Sequence, residues 1–273
     1  MTVSTLDWTD AAASWDLCRG HVERMKEPLT TALLAGLKLH SGDRVLELGA
    51  GTGELALRLA DRVGPKGSVI ASDVAPGMVE LLGRTLAGLP GIEVARLDAR
   101  DTFLPDASVD VVVFRMGLML VHEPAIALRE CHRVLVPMGR LGLAVWAGPE
   151  HNPWLTCVGM AAMMHGLVGG GPPTGPGGPF SLADAAALER LVRDAGFGDI
   201  TMREIEIPST FASTDEHFET VMALAAPLAS ALAAAPEFTR DAVRRTAAEL
   251  AGRYRTDSGF VLPGRALLCT AQS

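Results

Sequence analysis

Three glycines at alternate positions are the sharpest chemical signal in the sequence. They lie in Glu47-Leu48-Gly49-Ala50-Gly51-Thr52-Gly53-Glu54, where an apolar run, Arg44–Gly49, gives way to a helical pattern with Ala56, Leu59, Ala60 and Val63 on one face. Glycine lets the backbone turn tightly and come close to a ligand, and free N–H groups at a helix start can meet an anionic group. Two cofactor classes use such a turn. A dinucleotide-binding turn, GxGxxG, needs its third glycine at position 54, which is Glu54. Here the third glycine comes one residue early, at Gly53, and an acid precedes the first, giving ExGxGxG.

Other candidates follow along the chain. Asp73 ends a second apolar run, Ser68–Asp73, where an acid suits the hydroxyls of a ribose in α/β sheets. His122 lies in Arg115–Pro124, after a fourth run, at the strand edge that faces the ligand crevice. An imidazole titrates near working pH and is the commonest general base, so His122 is the candidate catalytic residue. His151, between Pro149 and Trp154, is a second one. Plainer roles exist for each: a tight turn for the glycines, a helix cap for Asp73, core packing for Met78, a loop hydrogen bond for His122.

The elements that must position these residues alternate. Strand signals at Arg44–Gly49, Ser68–Asp73, Ile92–Leu97, Val109–Phe114 and Arg140–Ala147 are separated by helical patterns, two of them opened by Pro76 and Pro124, the second closed by Pro137. Val109–Phe114 is apolar on both faces, as a central parallel strand should be. Such alternation implies a doubly wound, mostly parallel α/β sheet with helices on both sides. The second half is less regular. Met160, Met163, Met164 and Leu167 share one face of a short helix, and Gly169–Pro179 is ten-elevenths Gly or Pro, which predicts a mobile loop. Ser181 and Asp184 resemble a capping box before another helix, Ile200–Ile207 alternates as a strand, Asp215–Leu250 reads as helical, and Phe260–Ala271 as a last strand.

The motif set as a whole resembles class I S-adenosylmethionine (AdoMet)-dependent methyltransferases, and in particular the subgroup of the ubiquinone/menaquinone C-methyltransferases. ExGxGxG matches the family's first motif. Val74-Ala75-Pro76-Gly77-Met78 follows Asp73 as in the family, Asp98-Ala99 opens the loop after the third strand, and Phe103–Asp110 and Glu130–Leu141 are similar to two further family runs. The likeness is strong over residues 40–148 and weak beyond. It implies a Rossmann-like, seven-stranded sheet whose last strand is antiparallel, with AdoMet as cofactor. The implied cofactor residues are Glu47, Gly49, Ala50, Gly51, Gly53, Asp73, Val74, Met78, Asp98, Ala99 and Arg115, with Asp73 on the ribose and Asp98-Ala99 on the adenine. Val136 and Met138 replace the family's Lys and first Gly, which predicts a turn without positive φ.

On this reading the 273 residues form one domain: an N-terminal helical lid (1–40), an AdoMet-binding core (41–148) and acceptor-side cap segments with the last strands (149–273). Trp8 and Trp15 are placed to close over the cofactor or to pack in the core, and the methionines beside the Gly/Pro loop to line an acceptor pocket. With 24 Lys+Arg against 32 Asp+Glu the chain is acidic, net charge −8, which argues against a nucleic-acid partner. No run approaches the roughly 20 apolar residues of a membrane span, and the N-terminus lacks the features of a secretory signal. Four scattered cysteines without a CxxC pair suit buried thiols in a cytoplasmic protein. No acidic pair suggests a metal. The expected function is methyl transfer to a small, largely apolar acceptor, with O-, N- and C-methylation open. The rivals are an AdoMet-binding protein that transfers no methyl and an NAD-dependent oxidoreductase.

Overall fold

In the structure, a computed structural model that describes residues 8–169 and 173–273, ten strands and nine α-helices are found among the described residues. The chain begins with a 30-residue helix, α1 (Trp8–Leu37). Then come β1 (Arg44–Leu48), α2 (Glu54–Val63), β2 (Ser68–Asp73), α3 (Pro76–Thr85), β3 (Ile92–Arg96), β4 (Val109–Arg115), α4 (Pro124–Val134) and β5 (Leu135–Trp146). The second half holds α5 (Pro153–Met164), α6 (Ala185–Asp194), β6 (Gly198–Glu206), β7 (Ser209–Phe211), α7 (Thr214–Leu224), α8 (Ala226–Ala233), α9 (Glu237–Ala251), β8 (Arg255–Thr256), β9 (Gly259–Leu262) and β10 (Arg265–Gln272).

Seven strands form one sheet in the order β3-β2-β1-β4-β5-β10-β6. The first five are parallel, and β10 runs antiparallel to both β5 and β6. Strand order reverses between β1 and β4, which opens a ligand crevice outside their carboxyl ends. β1 and β4 are buried along nearly their whole length, as a centre covered on both faces requires. β7, β9 and β8 form a separate antiparallel sheet in the cap, which the sequence patterns did not reveal.

Several expectations are corrected. Helix α4 ends at Val134 without help from Pro137, and β5 begins directly at Leu135, paired with Val109. Met138 does adopt a positive φ, +65°, because the register between β4 and β5 shifts around it. Asp184 alone caps α6 by accepting from the Ala187 amide at 2.9 Å, while the Ser181 hydroxyl donates to the Met119 carbonyl at 2.6 Å. The segment 215–250 is three helices, broken at Ala225 and Pro236. Phe260–Ala271 is two strands, because Pro263 has no amide to donate and a Cβ on Gly264 would lie 2.5 Å from the Ile207 carbonyl oxygen. On α5 the buried stripe is Trp154, Cys157, Val158, Ala161 and Ala162, not the methionines. Both stripes have helical spacing, and the smaller residues let α5 approach α9 closely. Met160, Met163 and Met164 therefore face outward.

Gly169–Pro179 is irregular where described, and residues 170–172 lie outside the described residues. Its second half is folded into turns, with Gly178 and Phe180 donating backbone bonds to Gly175 and Pro173 and Phe180 buried. All four cysteines are free, and Cys131, Cys157 and Cys269 are buried. No helix among the described residues is long and apolar enough to cross a membrane.

Candidate functional site

The three glycines of the β1–α2 turn all have positive φ, +62° at Gly49, +59° at Gly51 and +94° at Gly53, where L side chains are strained. Their surroundings separate their roles. A Cβ on Gly49 would lie 3.1 Å from the Phe114 ring, and one on Gly53 3.1 Å from Leu82 of α3. These two serve close packing of the turn. A Cβ on Gly51 would meet nothing within 4 Å, so this glycine faces open space. Ala50, buried, fixes the turn through its amide on the Ser72 carbonyl at 2.9 Å.

Asp73, at the end of β2, accepts from the Gly51 amide at 3.3 Å and the Ala75 amide at 3.1 Å. Burial pushes its carboxyl up, and those amides partly offset the shift. Its two oxygens keep unused lone pairs beside the glycine turn. Val74 is half exposed, whereas Met78 is buried against Ala12, Ala75 and Leu81, with Trp8 and Trp15 packed on the same cluster. The two indoles meet edge to face at 5.8 Å. They cover the Met78 face of α3.

Asp98 follows β3 and is engaged by Arg100, whose Nη2 donates at 2.7 Å and whose backbone amide donates at 2.9 Å. This guanidinium holds the Asp98 carboxyl below its ordinary range. Arg100 also reaches Glu123 at 3.1 Å, which ties the loop after β3 to the loop after β4. Ala99 is buried beside it. His122, next to Glu123, is exposed, and a Cβ on Gly177 of the Gly/Pro segment would lie 2.6 Å from its ring. His151 is half-buried beside Glu150, 3.4 Å away, beyond the end of β5.

Arg115 does not stand alone. It is buried at the end of β4, where Nη1 and Nη2 donate to the two Glu23 oxygens at 3.0 and 2.9 Å, and Nη1 also donates to the Thr30 hydroxyl at 2.7 Å. Lys26 joins Glu23 at 2.8 Å, and Arg19 lies 3.1 Å from Glu54, the first residue after the glycine turn. Burial would raise the Glu23 carboxyl, but Lys26 and Arg115 outweigh it and hold it at about 2. Burial depresses Lys26 to about 8.

Glu47 completes this group from inside the sheet, paired in register with Ala71 of β2 and Val113 of β4. It is 2% exposed, and its Oε2 has no hydrogen-bond partner. Burial, only partly countered by Arg115, pushes its carboxyl up to about 8. An unpartnered buried carboxylate oxygen is costly unless a cation or donor arrives to meet it. Arg19, Glu23, Lys26 and Thr30 went unmarked in the sequence reading. The available signal was their spacing, i, i+4, i+7 and i+11, which puts all four on one helix face.

The strand order and the glycine turn at the switch point define a Rossmann-like domain of the methyltransferase kind. Residues 45–139 match a family model described as a methyltransferase domain. Over 142 residues the chain is 35% identical to the ubiquinone/menaquinone biosynthesis C-methyltransferase UbiE of Pseudomonas putida, covering 50% of this chain and 54% of that protein. The chain thus spans about half the length of the curated relatives it matches. Among solved structures it resembles a SAM-dependent methyltransferase from Aquifex aeolicus, with a TM-score of 0.51 and 26% identity over 66% of this chain and 86% of the other. The YcgJ protein from Bacillus subtilis shares the fold, with a TM-score of 0.59 at 18% identity over 89% of this chain and 97% of that one. Residues 45–139 thus correspond to a methyltransferase domain, and the comparisons indicate AdoMet as its cofactor.

Proposed function

We propose that the protein transfers a methyl group from AdoMet to a small, largely apolar acceptor. The observation that carries this reading is the pairing of an open Gly51 with the unpartnered buried oxygen of Glu47. The first leaves room for a ligand against the backbone, and the second waits for a cation. The residues present fit the cofactor. Asp73 would receive the ribose hydroxyls, Asp98 and Ala99 the adenine, and Glu47 the α-ammonium group.

When bound, AdoMet supplies a methyl group already activated by its sulfonium. The protein's own task is then to hold acceptor and methyl in line and to keep water out. Asn152 supports the second part. Fully buried, it donates to the carbonyls of Ala147, Gly148 and Arg265 at 3.0–3.2 Å and accepts from the Arg265 amide at 3.0 Å, which fastens the cap to the carboxyl end of β5. His122 stands on the same edge with an exposed ring and is assigned removal of the acceptor's proton.

The acceptor is left as a class because the cap, which should select it, begins beyond the family match that ends at residue 139. The quinone chemistry named for the Pseudomonas relative is one member of that class. Incubating the protein with methyl-labelled AdoMet and a metabolite extract should yield one compound heavier by a labelled methyl, with stoichiometric S-adenosylhomocysteine. AdoMet consumption without any methylated product, or binding of NADH in its place, overturns the reading.

A further inference from the structure

Helix α1 presents two unlike faces to the molecule. His21 and Met25 look toward the cap, where the His21 ring stacks on Phe211 at 4.6 Å and its Nε2 lies 2.7 Å from the Ser209 hydroxyl. Arg19, Glu23, Lys26 and Thr30 look the other way, toward the end of β4 and the glycine turn. A helix face buried on a sheet is normally apolar. This one buries a lysine at 8% exposure and a threonine at 1%. Such a polar stripe calls for a polar occupant nearby.

The charges divide into two spots. Lys26 and Arg115 share a single carboxylate, Glu23, so two cations face one anion and the spot is net positive. Lys26 spends one of its three N–H groups on Glu23, leaving donors for a further anion. Glu47, buried next to this spot, offers an unpartnered oxygen, and its carboxyl would ionise once a cation meets it. A positive spot beside a carboxyl that an ammonium group would ionise, over a glycine turn, complements a zwitterionic amino acid.

We infer that Lys26 of α1 receives the α-carboxylate at the amino-acid end of AdoMet, with Glu23 and Arg115 holding its ammonium in place. The inference rests on the methyltransferase reading and deepens it: α1 supplies one wall of the cofactor site, so cofactor recognition depends on a helix outside the matched domain. Glu23 remains paired with Arg115 when Lys26 is removed, so Lys26→Met leaves no uncompensated charge.

Calorimetric titration tests this with two ligands, S-adenosylhomocysteine and 5′-methylthioadenosine, which shares the adenosine and thioether but lacks the amino-acid end. Lys26→Met should weaken S-adenosylhomocysteine binding about 10- to 100-fold, the loss expected for one charged hydrogen bond, and leave 5′-methylthioadenosine unchanged. Lys26→Arg should recover most of the loss. Unchanged S-adenosylhomocysteine affinity, or an equal fall for both ligands, overturns the assignment. Should Lys26→Met fail to fold, decarboxylated AdoMet takes its place as the probe on the unaltered protein. It should bind about 10- to 100-fold more weakly than AdoMet, and equal binding overturns the assignment. Failure of wild-type protein to bind any of these ligands would bring down the methyltransferase reading itself.

Discussion

The two halves of this molecule obey different logics. In residues 44–148 four candidate cofactor residues sit at or just beyond strand ends: Glu47 on β1, Asp73 on β2, Asp98 after β3, Arg115 on β4. A parallel sheet brings all those ends to one edge, so residues 17 to 26 apart in sequence converge without any long-range instruction beyond strand order. Residues 149–273 add only β6 and the antiparallel β10 to that sheet, and most of the segment lies outside it. Their helices and the small β7-β9-β8 sheet pack by shape, and their exposed Met160, Met163 and Met164 follow no edge rule. Cofactor binding should therefore respond to single changes in the first half, and acceptor choice to changes in the second.

The largest effect expected is at the glycine turn. Gly51→Val places a branched side chain in the open space at a φ of +59°, so calorimetry should detect no AdoMet binding. The folded state should lose only about 1–2 kcal/mol from the left-handed backbone. Retained affinity in a folded Gly51→Val protein would break the division between the halves.

His122 tests the boundary. His122→Ala should lower kcat by about 10²–10⁴-fold, the usual span for a general base, with AdoMet affinity unchanged. A variant with normal turnover and a lower melting temperature would make His122 a support for the Gly177 turn instead.

Asp73→Ala should weaken AdoMet binding by about 1–3 kcal/mol, as charged hydrogen bonds vanish, while saturated turnover survives. A drop in kcat at unchanged affinity would move Asp73 out of the ribose site.

Glu47 supplies a pH signature. Burial raises its carboxyl to about 8 in the free protein, above its unfolded value, so the folded chain holds an extra proton between about pH 4.5 and 8. Stability from this group is therefore present at low pH and is lost as pH rises through about 8. Pairing with the cofactor's ammonium favours the carboxylate, so AdoMet binding should release a proton near neutral pH and tighten as pH rises toward 8. Calorimetry in two buffers of different ionisation enthalpy measures that proton. Glu47→Gln should abolish the release, weaken AdoMet binding, and raise the melting temperature of the free protein at pH 8.

The smallest effect lies at the end of the first half. Met138, exposed and at φ +65°, pays left-handed strain, so Met138→Gly should leave AdoMet affinity unchanged and raise stability by up to about 1 kcal/mol in denaturant titration.

Sequence alone determined the core because its signals are local. Apolar runs of strand length, prolines at helix starts and ExGxGxG each act within a few residues, and right-handed crossovers then leave few ways to assemble them. The five parallel strands and the Asp73 and Asp98 strand ends were therefore legible within a residue, except that β5 begins five residues before the expected Arg140. Only tertiary structure decided which of two equally spaced stripes on α5 was buried, since the choice depended on how closely α9 could approach. It also decided that Met138 takes the left-handed backbone that its residue type disfavours, because the β4–β5 register demands it. The fate of Arg19, Glu23, Lys26 and Thr30 belongs here too. Their spacing marked one polar face of α1, but a polar face is ordinarily solvated. Arg115 at the end of β4 and Glu54 after the glycine turn supply the partners that bury it, and those partners lie 35 to 92 residues away along the chain.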